Sequence, residues 1–233
     1  IIPDRINSFS YLWDFGDGET STEEDPVHTF MQSGKYPVKL TVFADDETVV
    51  KEVELVVGAL FQEDFEGSTV FPEEWVLVNV DGNIPDDPFY VNMTDSAWIV
   101  VYSNFFESNA AFGISFYNPE AGADDWMITP MITLGENSIL TWQAMSLTTS
   151  GNYPDSYEVY VSTTTQDIAG CSANGAIYTV IDESWREDAS VPGEGIASHE
   201  VDLSDFAGLD VYIGFRLMTP YPGGDRLVID NIK

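Results

Sequence analysis

The stretch Phe61-Gln62-Glu63-Asp64-Phe65-Glu66-Gly67 sets acidic against aromatic side chains with a period of two. In an extended chain that period sends Phe61 and Phe65 to one face and Asp64 and Glu66 to the other. The apolar face is suited to a core. The two carboxylates left together on the far side repel each other unless a cation or solvent relieves them. The stretch therefore predicts a β-strand opening the larger of two β-rich units, with Asp64 and Glu66 as candidate ligands of a hard cation.

Working outward, the rest of the chain carries the same signal. Val, Ile, Thr and aromatic residues are plentiful, Gly and Pro recur every ten or so residues, and no window keeps apolar residues at helical spacing. An all-β chain is predicted, and 233 residues suit two units. Forty acids against eight bases give a formal charge of −32. Such a surface argues against nucleic acid or an anionic membrane as partner, because phosphates require Lys and Arg. It favours solubility in salt and the binding of divalent cations, with most acids simply solvated. Cys171 is the only cysteine, so no intrachain disulfide forms, and with only His28 and His199 beside it a zinc site is not expected. No apolar run reaches the ~18 residues of a membrane-spanning helix, and the sequence shows no signal peptide.

Residues 1–58 form the first predicted unit. Tyr11-Leu12-Trp13-Asp14-Phe15-Gly16-Asp17-Gly18 reads as a strand running into a tight turn. Tyr36, Val38, Leu40 and Val42 alternate along a second strand, and Val49 to Val57 forms a third after the acidic turn Asp45-Asp46-Glu47. These residues closely resemble the PKD domain, an immunoglobulin-like β-sandwich of extracellular proteins. Trp13-Asp14-Phe15-Gly16-Asp17-Gly18 is its signature, and Pro26, His28, Gly34, Tyr36 and Leu40-Thr41-Val42 fall where it expects them. The resemblance implies strands ahead of the signature for which this sequence has little room, so a truncated sandwich is expected. It also implies a structural His28. Asp14 and Asp17 are read as turn residues bonding their own backbone.

Residues 59–233 form the second predicted unit, joined through the short Gly58-Ala59 link. Strands are expected at Trp98 to Tyr102, Met131 to Leu134, Ser138 to Ser146, Tyr157 to Ser162, Ile177 to Ile181, His199 to Leu203, Val211 to Met218 and Arg226 to Ile232. A polar stretch near 163–176 carries Cys171. The unit resembles the cleaved adhesin domain of gingipain haemagglutinin/adhesin regions and of other bacterial surface proteins. Seven motifs in order carry the resemblance: Asp64-Phe65-Glu66-Gly67; Pro72 with Trp75; Asp125-Trp126-Met127-Ile128-Thr129-Pro130; Tyr157 to Ser162; Asp202-Leu203-Ser204; Gly208 to Arg216; and Leu227 to Ile232. Asn231, where an acid is common, and the short tail after Ile232 depart from the pattern. The resemblance implies a jelly-roll β-sandwich, stabilised by calcium, in a secreted or surface-attached, non-catalytic adhesion module. Because the first and last strands lie close in such a sandwich, it adds Asp230 to Asp64 and Glu66 as the third ligand of a structural calcium.

Three further groups are candidates. Asp81, Asp86 or Asp87, in a turn-rich loop, is a candidate for a second calcium site. Among the tryptophans, Trp13, Trp126 and Trp142 sit in strand contexts and are expected in cores, whereas Trp185, with Tyr153 and Tyr221, lies in polar loops and is the candidate ligand-binding set. No strand-turn-helix elbow presents a nucleophile near His28 or His199, no carboxylate pair is singled out for glycoside hydrolysis, and Gly223-Gly224-Asp225 lacks the lysine of a phosphate loop. The expected function is adhesion to a host or matrix protein or glycan, within a polypeptide carrying further domains. The alternative is a carbohydrate- or substrate-binding accessory module of a secreted peptidase or glycosidase.

Overall fold

A computed structural model describes residues 9–31, 34–44, 47–57, 61–85, 97–117, 120–148, 153–185, 193, 195–220 and 224–233. The first unit is an antiparallel sheet in the order β2-β1-β3-β4, built from β1 (Phe9–Asp14), β2 (Thr20–Ser21), β3 (Gly34–Ala44) and β4 (Glu47–Val57). Register places Trp13 opposite Leu40 and Leu40 opposite Lys51, so Trp13, Leu40, Val49 and Val53 share one face. Phe9, Val49 and Val53 on that face are each more than half exposed, and among the described residues this unit is a single layer. At its end Phe15 stacks on His28 at 3.9 Å, with Phe30 edge-on to both rings. His28 Nε2 lies 2.7 Å from Asp17 Oδ2. The histidine is thus a packing element, as the sequence predicts. Asp14 and Asp17 accept from the N–H of Gly16 and Glu19, turn bonds of the expected kind.

The second unit consists of two antiparallel sheets face to face. One has the order β13-β10-β15-β7-β6, the other β12-β11-β14-β8-β5 with β9 pairing onto β14. The first comprises β6 (Trp98–Ser103), β7 (Ser108–Ile114), β10 (Ile139–Ser146), β13 (Ala197–Asp202) and β15 (Arg226–Asp230). The second comprises β5 (Val76–Asn79), β8 (Asp125–Ile128), β9 (Ile132–Thr133), β11 (Tyr157–Ser162), β12 (Tyr178–Val180) and β14 (Asp210–Leu217). Alternate residues meet between the sheets: Trp98, Trp142, Leu227 and Ile229 from one side, and Met127, Tyr157, Val159, Phe215 and Leu217 from the other. Their side chains are at most 1% exposed. The chain is all-β, as its sequence predicts.

Four local differences from the sequence reading have physical causes. The opening stretch makes one antiparallel bridge, Glu63 to Ile232, and not a strand. Phe65 adopts φ 53, which turns the chain before Gly67. Strand β7 escapes the reading because its centre is Ala110-Ala111, buried on both faces, where packing selects small residues over β-branched ones. Strand β5 is only four residues long. In the polar stretch, α1 (Ile168–Ser172) starts on an Asp167 cap whose carboxylate accepts from Gly170 N–H at 2.8 Å. It presses Cys171 onto Gly214, where a Cβ would come within 2.9 Å of Cys171 Sγ. Trp126, Ile128 and Tyr160 are thereby buried on the outer face of the second sheet. Trp126 and Trp142 are core residues as expected, Trp126 beneath α1 and Trp142 between the sheets; Trp13 is half-buried. Among the described residues no helix is long and apolar enough to cross a membrane.

Candidate functional site

Three acidic assemblies and one aromatic loop end are built on this sandwich. The first joins the two ends of the second unit. Glu63 and Ile232 exchange backbone hydrogen bonds of 2.8 and 2.9 Å, which brings the turn at Asp64-Phe65-Glu66 beside the end of β15. Strand β7 links the partners: Ser108 Oγ donates to Asp230 Oδ2 at 2.7 Å, and Asn109 N–H donates to Glu66 Oε1 at 2.9 Å. Asp230 is fully buried. Burial, and then the charges of Asp64 and Glu66, push its carboxyl up to about 6 against hydrogen bonds from Ser108 and Asn231. Asn231, the departure from the family pattern, donates to Gln143 and Asp230 and occupies φ 53. The predicted trio is thus brought into one neighbourhood. The donor set is all oxygen, which suits calcium, and a buried carboxylate beside two acids is what a divalent cation would relieve. Among the described residues, however, no three acidic, histidine or cysteine side chains converge as tightly as a metal group.

The second assembly surrounds Tyr117. Its hydroxyl donates to Ile114 O at 2.7 Å and lies 3.1 Å from Asp125 Oδ2 and 3.4 Å from Asp81 Oδ2, three acceptors around one proton. Asp81 is also held by the N–H groups of Asn83 and Asp124. Asp125 Oδ1 is buried without a hydrogen-bond partner, and burial followed by the Asp81 charge pushes that carboxyl up to about 8. Asp81, expected in a loop site with Asp86 and Asp87, instead faces Tyr117 and Asp125; Asp86 and Asp87 lie outside the described residues.

A carboxyl raised in the folded state makes stability fall as pH rises. The unfolded chain releases its proton near 3.8 while folded Asp125 holds it to about 8, so each pH unit in that window costs up to about 1.36 kcal/mol. Asp155 and Asp230, both raised to about 6, act in the lower half of the window. In the presence of chelator, melting of the second unit should occur at lower temperature at pH 8 than at pH 5. Asp125→Asn should flatten the profile between pH 6 and 8. A slope unchanged by Asp125→Asn, followed by calorimetry across that range, would show that this group is not the one titrating.

The third assembly is a buried carboxylate hub that fixes the aromatic loop end. Asp155, wholly buried, accepts from the hydroxyls of Ser115, Ser146 and Thr219. Glu183 N–H donates to Asp155 O at 2.8 Å. Glu183, 2% exposed, lies 2.7 Å from His199 Nε2 and accepts from Tyr157 at 2.9 Å, and Trp142 Nε1 donates to that tyrosine oxygen at 2.9 Å. Although burial acts to raise it, the bonds to His199, Ser184 and Tyr157 hold the Glu183 carboxyl below its ordinary value. His199 is therefore paired to a buried glutamate, stacked on Trp142, and 3.3 Å through Nδ1 from the Tyr178 hydroxyl.

From this hub the candidate binding residues project. Trp185, 40% exposed, forms a parallel bridge with Ser146, and Tyr153, 43% exposed, lies two residues before Asp155. Trp185 is thus tied directly to Ser146, and Tyr153 is near it in the chain through Asp155, whose N–H donates to Ser146 Oγ. Tyr221 lies outside the described residues. Sequence reasoning selected the exposed rings through their polar context; it missed Asp155, Ser115, Ser146, Thr219 and Glu183, whose only signal is that polar residues follow or precede core strands.

Fold and sites together describe an all-β chain in which a four-stranded sheet is followed by a two-sheet β-sandwich. Residues 3–57 match the family model of the PKD domain. The K3 cleaved adhesin domain of Lys-gingipain from Porphyromonas gingivalis W83 superposes with a TM-score of 0.53 at 19% identity, covering 76% of this chain and 98% of that domain. Hemagglutinin A of Porphyromonas gingivalis is 24% identical over 186 residues, 74% of this chain and 7% of that protein. Collagenase ColA of Bacillus cereus is 40% identical over 93 residues, 37% of this chain and 9% of that protein. The chain spans less than a tenth of the length of either relative.

Proposed function

We propose that the chain is a non-catalytic binding segment of a secreted or cell-surface bacterial protein, divided at residues 58 and 59, whose second unit holds a protein or glycan against Trp185 and Tyr153. The observation that carries this reading is the position of those two rings. Both are nearly half exposed, and both adjoin a buried carboxylate hub: Trp185 pairs with Ser146, and Tyr153 stands two residues before Asp155. Rigid aromatic rings on a pre-ordered loop end bind with little entropy loss, and such residues dominate the energetics of many interfaces. A calcium ion held by Asp64, Glu66 and Asp230 would brace the opposite termini of the unit and serve the scaffold. The anionic surface directs the partner away from nucleic acid. The likeness to part of a collagenase supports a second reading, an accessory module that holds a substrate for a catalytic domain elsewhere in the polypeptide.

Binding to a glycan array and to immobilised type I collagen, with calcium present, separates the readings. Trp185→Ala or Tyr153→Ala should weaken whichever interaction is found at least tenfold, about 1.4 kcal/mol, with melting temperature unchanged. Selective sugar or collagen binding favours the accessory module, and binding to other matrix proteins without sugar dependence favours adhesion. If ligand binding persists undiminished in the double variant, the aromatic end is not the site.

A further inference from the structure

Three depressions meet along β10 and β13, at the end of β10 away from Ser146. One, of about 240 Å³, is an apolar slot between the sheets lined by Phe61, Leu134, Leu140, Leu203 and Ile213, with Ile139 at its mouth. Two others, of about 420 and 620 Å³, continue past Glu200. Ile139 is 57% exposed, a large aliphatic side chain left on the outer surface.

Strand β13 forms an edge of its sheet and, among the described residues, pairs only with β10. The direction of its free groups follows from the ladder. Thr141 and Lys233 exchange backbone hydrogen bonds, both 2.9 Å, so the polar groups of Thr141 point away from β13 and those of Leu140 and Trp142 point towards it. Their partners Val201 and His199 bond inward. The N–H and C=O of Ser198 and Glu200 are therefore directed to the open edge. On the same residues the side chains are exposed, and Asp202 continues the row.

Charge selects among the strands that might add here. A second copy would bring Glu200 and Asp202 against the acids of a chain carrying −32, and like charges facing across strands are destabilising. The acids thus guard the edge against self-association. The same pair favours a cationic strand. We propose that β13 takes up an extended basic polypeptide segment as an added strand, with Lys or Arg side chains facing Glu200 and Asp202 and the intervening aliphatic side chains on the opposite face, that of His199 and Val201. Main-chain bonds to Ser198 and Glu200 supply affinity, and the acids and slot supply selectivity. Along β10, Ile139 stands about 23 Å from Ser146, while Ser198, opposite Gln143, is about 10 Å from it.

The probe is a fluorescein-labelled alternating octapeptide, (Lys-Val)4, titrated against the whole 233-residue chain at low ionic strength, with (Glu-Val)4 as control. The expected result is saturable binding of (Lys-Val)4, weakened by salt, with (Glu-Val)4 at least tenfold weaker. Ser198→Pro removes one outward N–H and keeps both acids, a change that edge strands accommodate; it should weaken (Lys-Val)4 at least tenfold. Amide exchange on the unmodified chain should slow at Ser198 and Glu200 when the peptide is bound, a measurement that decides the matter even if the variant folds poorly. No saturable binding, equal binding of the two peptides, or binding without slowed exchange at those two amides would overturn the proposal.

Discussion

Trp142→Ala should lower the melting temperature of the second unit by about 6–20 °C. Truncating a buried tryptophan costs about 3–5 kcal/mol, and each kcal/mol shifts the transition of a domain this size by about 2–4 °C. Trp142 is 1% exposed and stands at the contact of both sheets. Its ring meets Phe215 and Tyr178 edge-on at 5.7 and 5.1 Å and stacks on His199 at 5.3 Å. The loss extends beyond the cavity, because Trp142 Nε1 donates to the Tyr157 oxygen, which in turn donates to Glu183. Removing the indole leaves a buried acceptor unpaired beside a buried carboxylate, an arrangement that costs about 1–3 kcal/mol by itself. Trp142→Phe keeps most of the volume and loses only the donor, so it should fall between the parent and Trp142→Ala. Trp185→Ala, at the surface, should stay within about 0.5 kcal/mol. Scanning calorimetry of the three variants checks the order, and equal melting of Trp142→Ala and Trp185→Ala would contradict the assignment of Trp142 to the core.

The period of two made much of this fold legible. Tyr157, Val159 and Val161 alternate in the sequence and turn into the core in the structure, and the Trp13 to Gly18 signature marked the strand and turn that it forms. Where the pattern was absent, the element was missed. In β7, Ser108-Asn109-Ala110-Ala111-Phe112-Gly113-Ile114 is buried on both faces, and a strand of that kind has no polar face to alternate against. Gly113 shows why small residues are required: a Cβ there would meet Leu217 and Trp98 at 3.0 Å. Helix α1 was missed for another reason, since five residues cannot display a helical period.

The candidate sites divide in the same way. Asp64, Glu66 and Asp230 are legible as candidates because two lie in one recognisable motif and the third in another, Leu227 to Ile232. Asp125 lies in one of those motifs too, yet its meeting with Asp81 and Tyr117 depends on β5 and β8 pairing and on the chain returning at Pro85 and Tyr117. No local pattern encodes that. Asp155 is the clearest instance: its three hydroxyl partners come from residues 115, 146 and 219. Each is an ordinary serine or threonine in sequence, and only the closure of the sandwich makes them one cage. Gly224 completes it, because a Cβ there would collide with Asp155 Oδ1.

Calcium should raise the melting temperature of the second unit, and Asp230→Asn should remove most of the rise. A ligand that binds only the folded state contributes about 2.7 kcal/mol when present at 100 times its dissociation constant, or about 5–11 °C here. The position of Asp230 gives the effect its size. It is fully buried and faces the charges of Asp64 and Glu66, and it holds its proton up to about 6. A bound cation would have to displace that proton, so metal affinity and acidity are linked. The calcium-induced shift should accordingly be largest at pH 7 and above and shrink as pH falls through about 6, where protons and calcium compete for the same carboxylate. Asp230→Asn removes this competition along with the charge and leaves the hydroxyl of Ser108 able to bond the amide oxygen, so the variant should fold and melt alike with calcium or EDTA. Because Glu63 and Ile232 are already joined by two backbone bonds, the clasp without metal is weakened and not absent, and the unit in EDTA should still unfold cooperatively. If the parent melts at the same temperature in excess EDTA and in millimolar calcium at pH 7.5, the structural calcium is excluded and the three acids are a solvated, proton-binding patch.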